Sequence, residues 1–127
     1  MKRPSATILV VDDDASSRDL LREFLEPEGY TVLEASDGKE ALDVLNQKPV
    51  ALVITDRSMP GMGGIELLRK MAAEKKAVPT LMVSAYGEEQ MWGDAIGSGA
   101  QDYILKPFKV EDILKAVKKI LSSGEGQ

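Results

Sequence analysis

The chain has 127 residues, 43% of them hydrophobic and 29% charged, with a net charge of −5; this is one domain's length with enough apolar content to build a core. The acidic balance argues against nucleic acid or an anionic membrane surface as a partner held by bulk charge. The absence of Cys and His excludes disulfides, thiolate and imidazole metal sites, cysteine nucleophiles and a Ser-His-Asp triad.

The N-terminal Met1-Lys2-Arg3-Pro4-Ser5 has no long apolar stretch behind it, and no run approaches the ~18 apolar residues of a membrane span. A cytoplasmic location, away from membranes, is therefore expected. Residues 7–11, Thr-Ile-Leu-Val-Val, read as a first strand that stops at Asp12-Asp13-Asp14. A helical pattern follows with Leu20, Leu21, Phe24 and Leu25 on one face, closed by Pro27 and Gly29. Residues 30–35 read as a second strand. Asp37 and Glu40 have capping-box spacing ahead of a stripe of Ala41, Leu42, Val44 and Leu45. Residues 51–55 form a third strand that ends at Asp56. A turn-rich loop, Ser58 to Gly64, leads into a third helix with Ile65, Leu68, Met71 and Ala72 inward. Residues 80–83 are a fourth strand ending at Ser84, and residues 88–98 a weaker fourth helix interrupted by Gly93 and Gly97. Residues 102–105 are a fifth strand ending at Lys106-Pro107. The fifth helix is expected from about Val110 to Leu121, with Ile113, Leu114, Val117, Ile120 and Leu121 as its stripe. Residues 1–127 are expected to form a single domain with flexible ends at 1–6 and 122–127.

Five β-α units imply a parallel sheet covered on both faces. The strand ends carry the chemistry. In a parallel sheet all C-terminal ends lie on one edge, where open α/β folds bind ligands. That edge would gather Asp12, Asp13, Asp56, Ser84 and Lys106. Two carboxylates ~5 Å apart repel by about 3 kcal/mol at an effective dielectric of ~20. Lys106 offsets part of this repulsion, and a divalent cation would offset more. Oxygen ligands without His or Cys select Mg²⁺, with Mn²⁺ as a substitute, or Ca²⁺; an incomplete cage that leaves room for water and phosphate favours Mg²⁺. Each residue also has a plainer reading. Asp14 reads equally as a helix N-cap, Ser84 as a turn residue and Lys106 as a solvated charge; it is their joint placement that singles them out. No P-loop is present, and Gly61, Gly63 and Gly64 do not complete G-x-G-x-x-G because Glu66 holds the sixth position.

The segments Ile8-Leu9-Val10-Val11-Asp12-Asp13, Leu52-Val53-Ile54-Thr55-Asp56 with Met59-Pro60-Gly61-Met62, Leu81-Met82-Val83-Ser84-Ala85, Gly99-Ala100 and Tyr103-Ile104-Leu105-Lys106-Pro107-Phe108 resemble, in order and spacing, the receiver domain of bacterial two-component response regulators. The resemblance covers Ile8 to Leu121. It implies a flavodoxin-like (βα)5 fold with strand order 2-1-3-4-5, the order for which a member of this family serves as an example. It also implies a signalling switch that turns over no external substrate and catalyses only its own phosphorylation and dephosphorylation. Asp56 resembles the nucleophile that takes a phosphoryl group from a phosphohistidine on a sensor histidine kinase or phosphotransfer protein. Asp12 and Asp13 resemble the acidic pair that holds Mg²⁺ with Asp56, Asp13 being favoured as a direct ligand and the Ser58 carbonyl being the third protein ligand. Lys106 would pair with a phosphoryl oxygen, and a cis Lys106–Pro107 bond is expected, which would aim that ammonium into the site. Ser84 and Tyr103 resemble a switch pair that remodels the face of the fourth helix, fifth strand and fifth helix for a downstream protein target.

Two features depart from the common pattern. Gly63 stands where the family often has Asp, which is expected to loosen the loop, and Ser84 replaces the commoner Thr while keeping the hydroxyl. Ser58 and Tyr86 stand where the family tunes phosphate lifetime, and Tyr86 is expected to shield the attacking water. Met91 and Trp92 read either as core or as a partner contact. Two alternatives to the switch are a Mg²⁺-dependent phosphatase with an aspartyl nucleophile and a receiver-like binding module unable to take phosphate. Ser58, in place of a second Asp, argues against the first; the complete Asp12, Asp13, Asp56, Ser84 and Lys106 set argues against the second.

Overall fold

The central strands form where β-branched and aliphatic residues run nearly uninterrupted, and they stop where a carboxylate or hydroxyl begins. A computed structural model describes residues 6–59, 61–84 and 99–125, with side chains described to residue 122. Its strands are β1 (Thr7–Val11), β2 (Thr31–Ala35), β3 (Leu52–Asp56), β4 (Thr80–Ser84) and β5 (Asp102–Leu105). All pair in parallel, in the order β2-β1-β3-β4-β5. The described helices are α1 (Ala15–Leu25), α2 (Gly38–Gln47), α3 (Gly64–Ala73) and α4 (Val110–Glu125). The helix expected over 88–98, with Met91 and Trp92, lies outside the described residues.

The two-residue period of each strand sorts side chains between two cores. Ile8 and Val10 of β1, Leu52 and Ile54 of β3, and Leu81 and Val83 of β4 pack under α1 and α4, meeting Leu21, Leu25, Ile113, Val117 and Ile120. Phe24 and Phe108 meet edge to face here, with ring centroids 6.2 Å apart. Leu9, Val11 and Val53 point the other way, under α2 and α3, with Ala41, Leu42, Leu45, Leu67 and Met71. Strands buried on both faces in this way run nearly continuously apolar, as residues 8–11 of β1 and 52–54 of β3 do, with Thr55 the one buried hydroxyl residue in the body of β3.

Several expected helix faces shift. Leu20 is 40% exposed. It lies ~100° around the helix from Leu21, at the edge of the arc that Leu21 and Leu25 centre on the sheet. In α3 the buried arc is Gly64, Leu67, Leu68 and Met71. Ala72 is exposed and Ile65 only half-buried, because α3 must serve two clusters: Leu67 and Met71 face the α2 side, while Leu68 packs with Met82 and Ala100. The last helix does not stop at Leu121. Ser122 and Ser123 carry no helix-stop signal, and the helix continues to Glu125. The capping-box spacing holds in a modified form: Asp37 Oδ1 accepts from the Glu40 N–H at 2.8 Å, while the Glu40 carboxylate reaches the Ser36 N–H and hydroxyl. After α1, a 3₁₀ turn at Glu26–Glu28 ends on Gly29 at φ 97°, a left-handed conformation that favours glycine.

Candidate functional site

Parallel register decides which residues meet. Val11 lies opposite Thr55, Asp56 opposite Val83, and Ser84 opposite Leu105. Asp12, Asp56, Ser84 and Lys106 follow at these strand ends and come to one edge of the sheet. The backbone is tied there as well: the Asp12 N–H donates to the Ala35 carbonyl at 3.1 Å, and the Lys106 N–H donates to the Ser84 carbonyl at 2.8 Å.

Asp12, Asp13 and Asp56 each place a carboxylate oxygen within 4.8 Å of the others. Asp12 is buried, Asp56 intermediate and Asp13 exposed. The Lys106 ammonium donates to Asp12 Oδ2 and to Asp56 Oδ2, at 3.3 Å each. Burial pushes the Asp56 carboxyl above its ordinary 3.8, and the Asp12 charge adds to that push; the Lys106 charge and a hydrogen bond from the Ser58 backbone N–H oppose it without cancelling it. Burial works against the Lys106 ammonium, but attraction to Asp56 and then Asp12 outweighs it, and its pKa rises above 10.5. The site thus holds more negative charge than its own lysine neutralises.

The other expected residues fall into place around this cluster. The Lys106–Pro107 peptide is cis. The Ser84 hydroxyl is buried and has no hydrogen-bond partner among the described residues, a state that buried polar atoms rarely occupy. Ser58 is exposed on the loop after β3, and Tyr103 is half-buried beside Ile65, Leu68, Met82 and Ala100. Asp14 turns away from the cluster and caps α1, accepting from the Ser16 N–H at 3.3 Å and the Ser17 hydroxyl at 3.1 Å. Tyr86 lies outside the described residues.

The loop after Asp56 is tighter than its glycines suggest. A Cβ on Gly63 would sit 2.8 Å from the Arg57 carbonyl oxygen, and one on Gly64 would sit 2.5 Å from the Asp56 carbonyl oxygen and 2.6 Å from Met82 Sδ. The Gly64 N–H donates to the Arg57 carbonyl at 2.8 Å. The sequence predicts that Gly63 loosens the loop; instead it lets the backbone close on itself, in a space with no room for a Cβ.

The donor set fits a hard divalent cation: three carboxylates, no nitrogen or sulfur ligand, and charge left over after Lys106. Sequence reading passed over Arg18 and Glu34. Arg18 Nη1 donates to the Asp12 backbone carbonyl at 2.6 Å, and its Nε donates to Glu34 Oε1 at 2.9 Å. Neither residue stands at a strand end, and no sequence motif links them.

Residues 8–118 match the family model described as the response regulator receiver domain. The chain is 39% identical over 114 residues to the sporulation initiation phosphotransferase F of Bacillus subtilis (strain 168), covering 90% of this chain and 92% of that protein. It is 43% identical over 114 residues to the transcriptional regulatory protein ResD of the same organism, covering 90% of this chain but only 47% of ResD, so it spans about half the length of that relative. Among solved structures, a CheY-like response regulator receiver domain protein from Methanospirillum hungatei JF-1 superposes with a TM-score of 0.89 at 32% identity, covering 96% of this chain and 98% of the other. No described helix is long and apolar enough to cross a membrane. The chain belongs to the receiver domains of two-component response regulators.

Proposed function

We propose that the chain is a phosphorylation-activated switch in which Asp56 accepts a phosphoryl group from a phosphohistidine of a sensor histidine kinase or phosphotransfer protein. The observation that carries this reading is the Lys106 ammonium shared between Asp12 and Asp56, with three carboxylate oxygens within 4.8 Å of one another. Few structural needs would gather three like charges at one sheet edge, whereas phosphoryl transfer needs dense positive charge around the transferring group.

An Asp56 carboxylate oxygen attacks phosphorus in line. The new O–P bond forms as the P–N bond to the donor imidazole breaks, and the imidazole leaves with its electron pair and takes up a proton. Asp12, Asp13, Asp56 and the Ser58 carbonyl would hold Mg²⁺, which supplies charge neutralisation for the phosphoryl oxygens. Lys106 pairs with a phosphoryl oxygen, releasing its hold on Asp56. The Ser84 hydroxyl, buried without a hydrogen-bond partner among the described residues, turns to donate to another phosphoryl oxygen. Tyr103 packs further into the space beside Met82, changing the face built from the segment before β5, β5 itself and the C-terminal helix. That face docks the downstream protein target, with no direct contact to nucleic acid. Tyr86, two residues beyond Ser84, shields the acyl phosphate from water together with Ser58, and Tyr86→Ala loses phosphate faster than wild type.

Intact mass after incubation with Mg²⁺ and acetyl phosphate tests the reading. A labile gain of one phosphoryl group in wild type and none in Asp56→Asn is the expected result. Failure of wild type to gain phosphate, from acetyl phosphate or from a kinase, would overturn it. Steady turnover of phosphate esters would instead favour the aspartyl phosphatase.

A further inference from the structure

Asp12 is bonded at every polar atom it owns. Its N–H donates to the Ala35 carbonyl at 3.1 Å. Its carboxylate accepts from the Asp14 N–H at 2.9 Å through Oδ1 and from Lys106 through Oδ2. Its carbonyl accepts from Arg18 Nη1 at 2.6 Å. The last of these bonds acts on the neighbour, because the Asp12 carbonyl belongs to the peptide plane that leads into Asp13. Asp13 is the exposed carboxylate of the cluster, and among the described residues no hydrogen bond or ion pair holds its own side chain.

Arg18 is not free to wander. The side chain is 17% exposed and its Nε donates to Glu34 Oε1 at 2.9 Å. The other Glu34 oxygen accepts from Arg22 Nε at 2.9 Å and pairs with Arg22 Nη2 at 2.8 Å. Arg22 also pairs with Glu26 and donates to the Val32 carbonyl. Glu34 is thus held by two guanidinium groups from successive turns of α1, and its own backbone is fixed in β2 opposite Val10. A guanidinium presents donors in a fixed plane, so holding Nε sets where Nη1 points. The Arg22 pair sets Glu34, Glu34 sets the Arg18 fork, and Arg18 sets the Asp12–Asp13 peptide.

We propose that Arg18, oriented by Glu34, is a positioning residue that aims the Asp13 carboxylate at the divalent cation. This rests on the metal-site reading above and adds residues that reach the cation only through the backbone. The simpler view, in which Arg18 is one more positive charge near an acidic cluster, predicts the opposite sign. Removing a nearby cation would make the cluster more negative and tighten Mg²⁺ binding, whereas removing a positioning group weakens it. Loss of an outer support of a metal ligand typically costs about 10–100-fold in affinity.

The test is calorimetric titration of Mg²⁺ into the unphosphorylated protein, with urea unfolding of each variant to confirm that it is folded. Arg18→Lys keeps the charge and loses the fork, and it is expected to weaken Mg²⁺ about tenfold. Arg18→Met is expected to weaken it at least as much, and Glu34→Gln less, since one acceptor remains. In an Asp13→Asn background, Arg18→Lys is expected to have almost no further effect, because the ligand it positions is gone. Unchanged or tighter binding in Arg18→Met, or a full additive loss in the Asp13→Asn background, overturns the positioning role while leaving the metal site standing. No Mg²⁺ binding by wild type would overturn the metal site and this proposal with it.

Discussion

The strand bodies and their C-terminal ends lie one residue apart and obey opposite rules. Ile8 to Val11, Leu52 to Ile54 and Leu81 to Val83 are at most 2% exposed and apolar throughout. One or two residues on, the same strands deliver Asp12, Asp56 and Ser84, where charge crowds charge and a buried hydroxyl has no partner among the described residues. Burial in the bodies stabilises the fold at roughly 1.5–3 kcal/mol per large side chain. The ends give some of that back. The difference teaches that this domain separates stability from chemistry along each strand rather than between distinct regions, with strong cores supporting a site where like charges crowd.

Ile54→Ala probes the body one turn of pleat from the site. It should cost about 2–5 kcal/mol in urea unfolding while leaving phosphate uptake per folded molecule nearly unchanged. An equal collapse of both would erase the separation. Lys106→Met acts at the end instead. It leaves Asp12 and Asp56 buried without their shared cation, which should cost roughly 1–3 kcal/mol in the metal-free protein. Mg²⁺ should restore part of that loss, and phosphate uptake should fall sharply; a metal-free variant as stable as wild type would mean that the lysine does not offset the crowding.

Asp13→Asn should move the other way. It removes one charge from the cluster, so the metal-free melting temperature should rise by about 2–4 °C. The further rise on adding Mg²⁺, which follows RT ln(1 + [Mg²⁺]/Kd), should shrink. A less stable Asp13→Asn variant would count against a strained end.

The smallest effect is in pH. The Asp56 pKa is raised in the folded protein, chiefly by burial, so the folded state binds this proton more readily than the unfolded state. The Asp56 contribution therefore grows more favourable as pH falls from neutral through its raised pKa and levels off below the ordinary 3.8. Glu34 behaves oppositely. Hydrogen bonding from Arg18 lowers its pKa, and the stability it contributes above 4.5 is lost as pH falls through the lowered value. The difference between the stability–pH curves of metal-free Asp56→Asn and wild type isolates the first effect: the variant should be the more stable at neutral pH, and the gap should close on acidification.

Much of this was legible in the chain. Short β-branched and aliphatic runs separated by helical stripes located all five strands within a residue, because central strands buried on both faces are built almost wholly from apolar residues. The same rule marked Asp12, Asp56, Ser84 and Lys106 as out of place and hence as a candidate site. Helix faces were less legible. Leu20 and Ala72 look equivalent to their buried neighbours on a helical wheel, and only packing against a twisted sheet decides which side of an apolar arc is covered.

The sequence by itself determined the β-α alternation, the parallel sheet and the polar residues that close its strands, since these follow from local periodicity and from the cost of burying charge. Only the tertiary structure decided what those residues do to one another. That one ammonium serves two carboxylates, that the Ser84 hydroxyl is buried with no partner among the described residues, and that Arg18 reaches the Asp12 carbonyl while bonded to Glu34 all depend on distances that local periodicity does not set. A periodic pattern carries no such distances; strand register and helix docking create them.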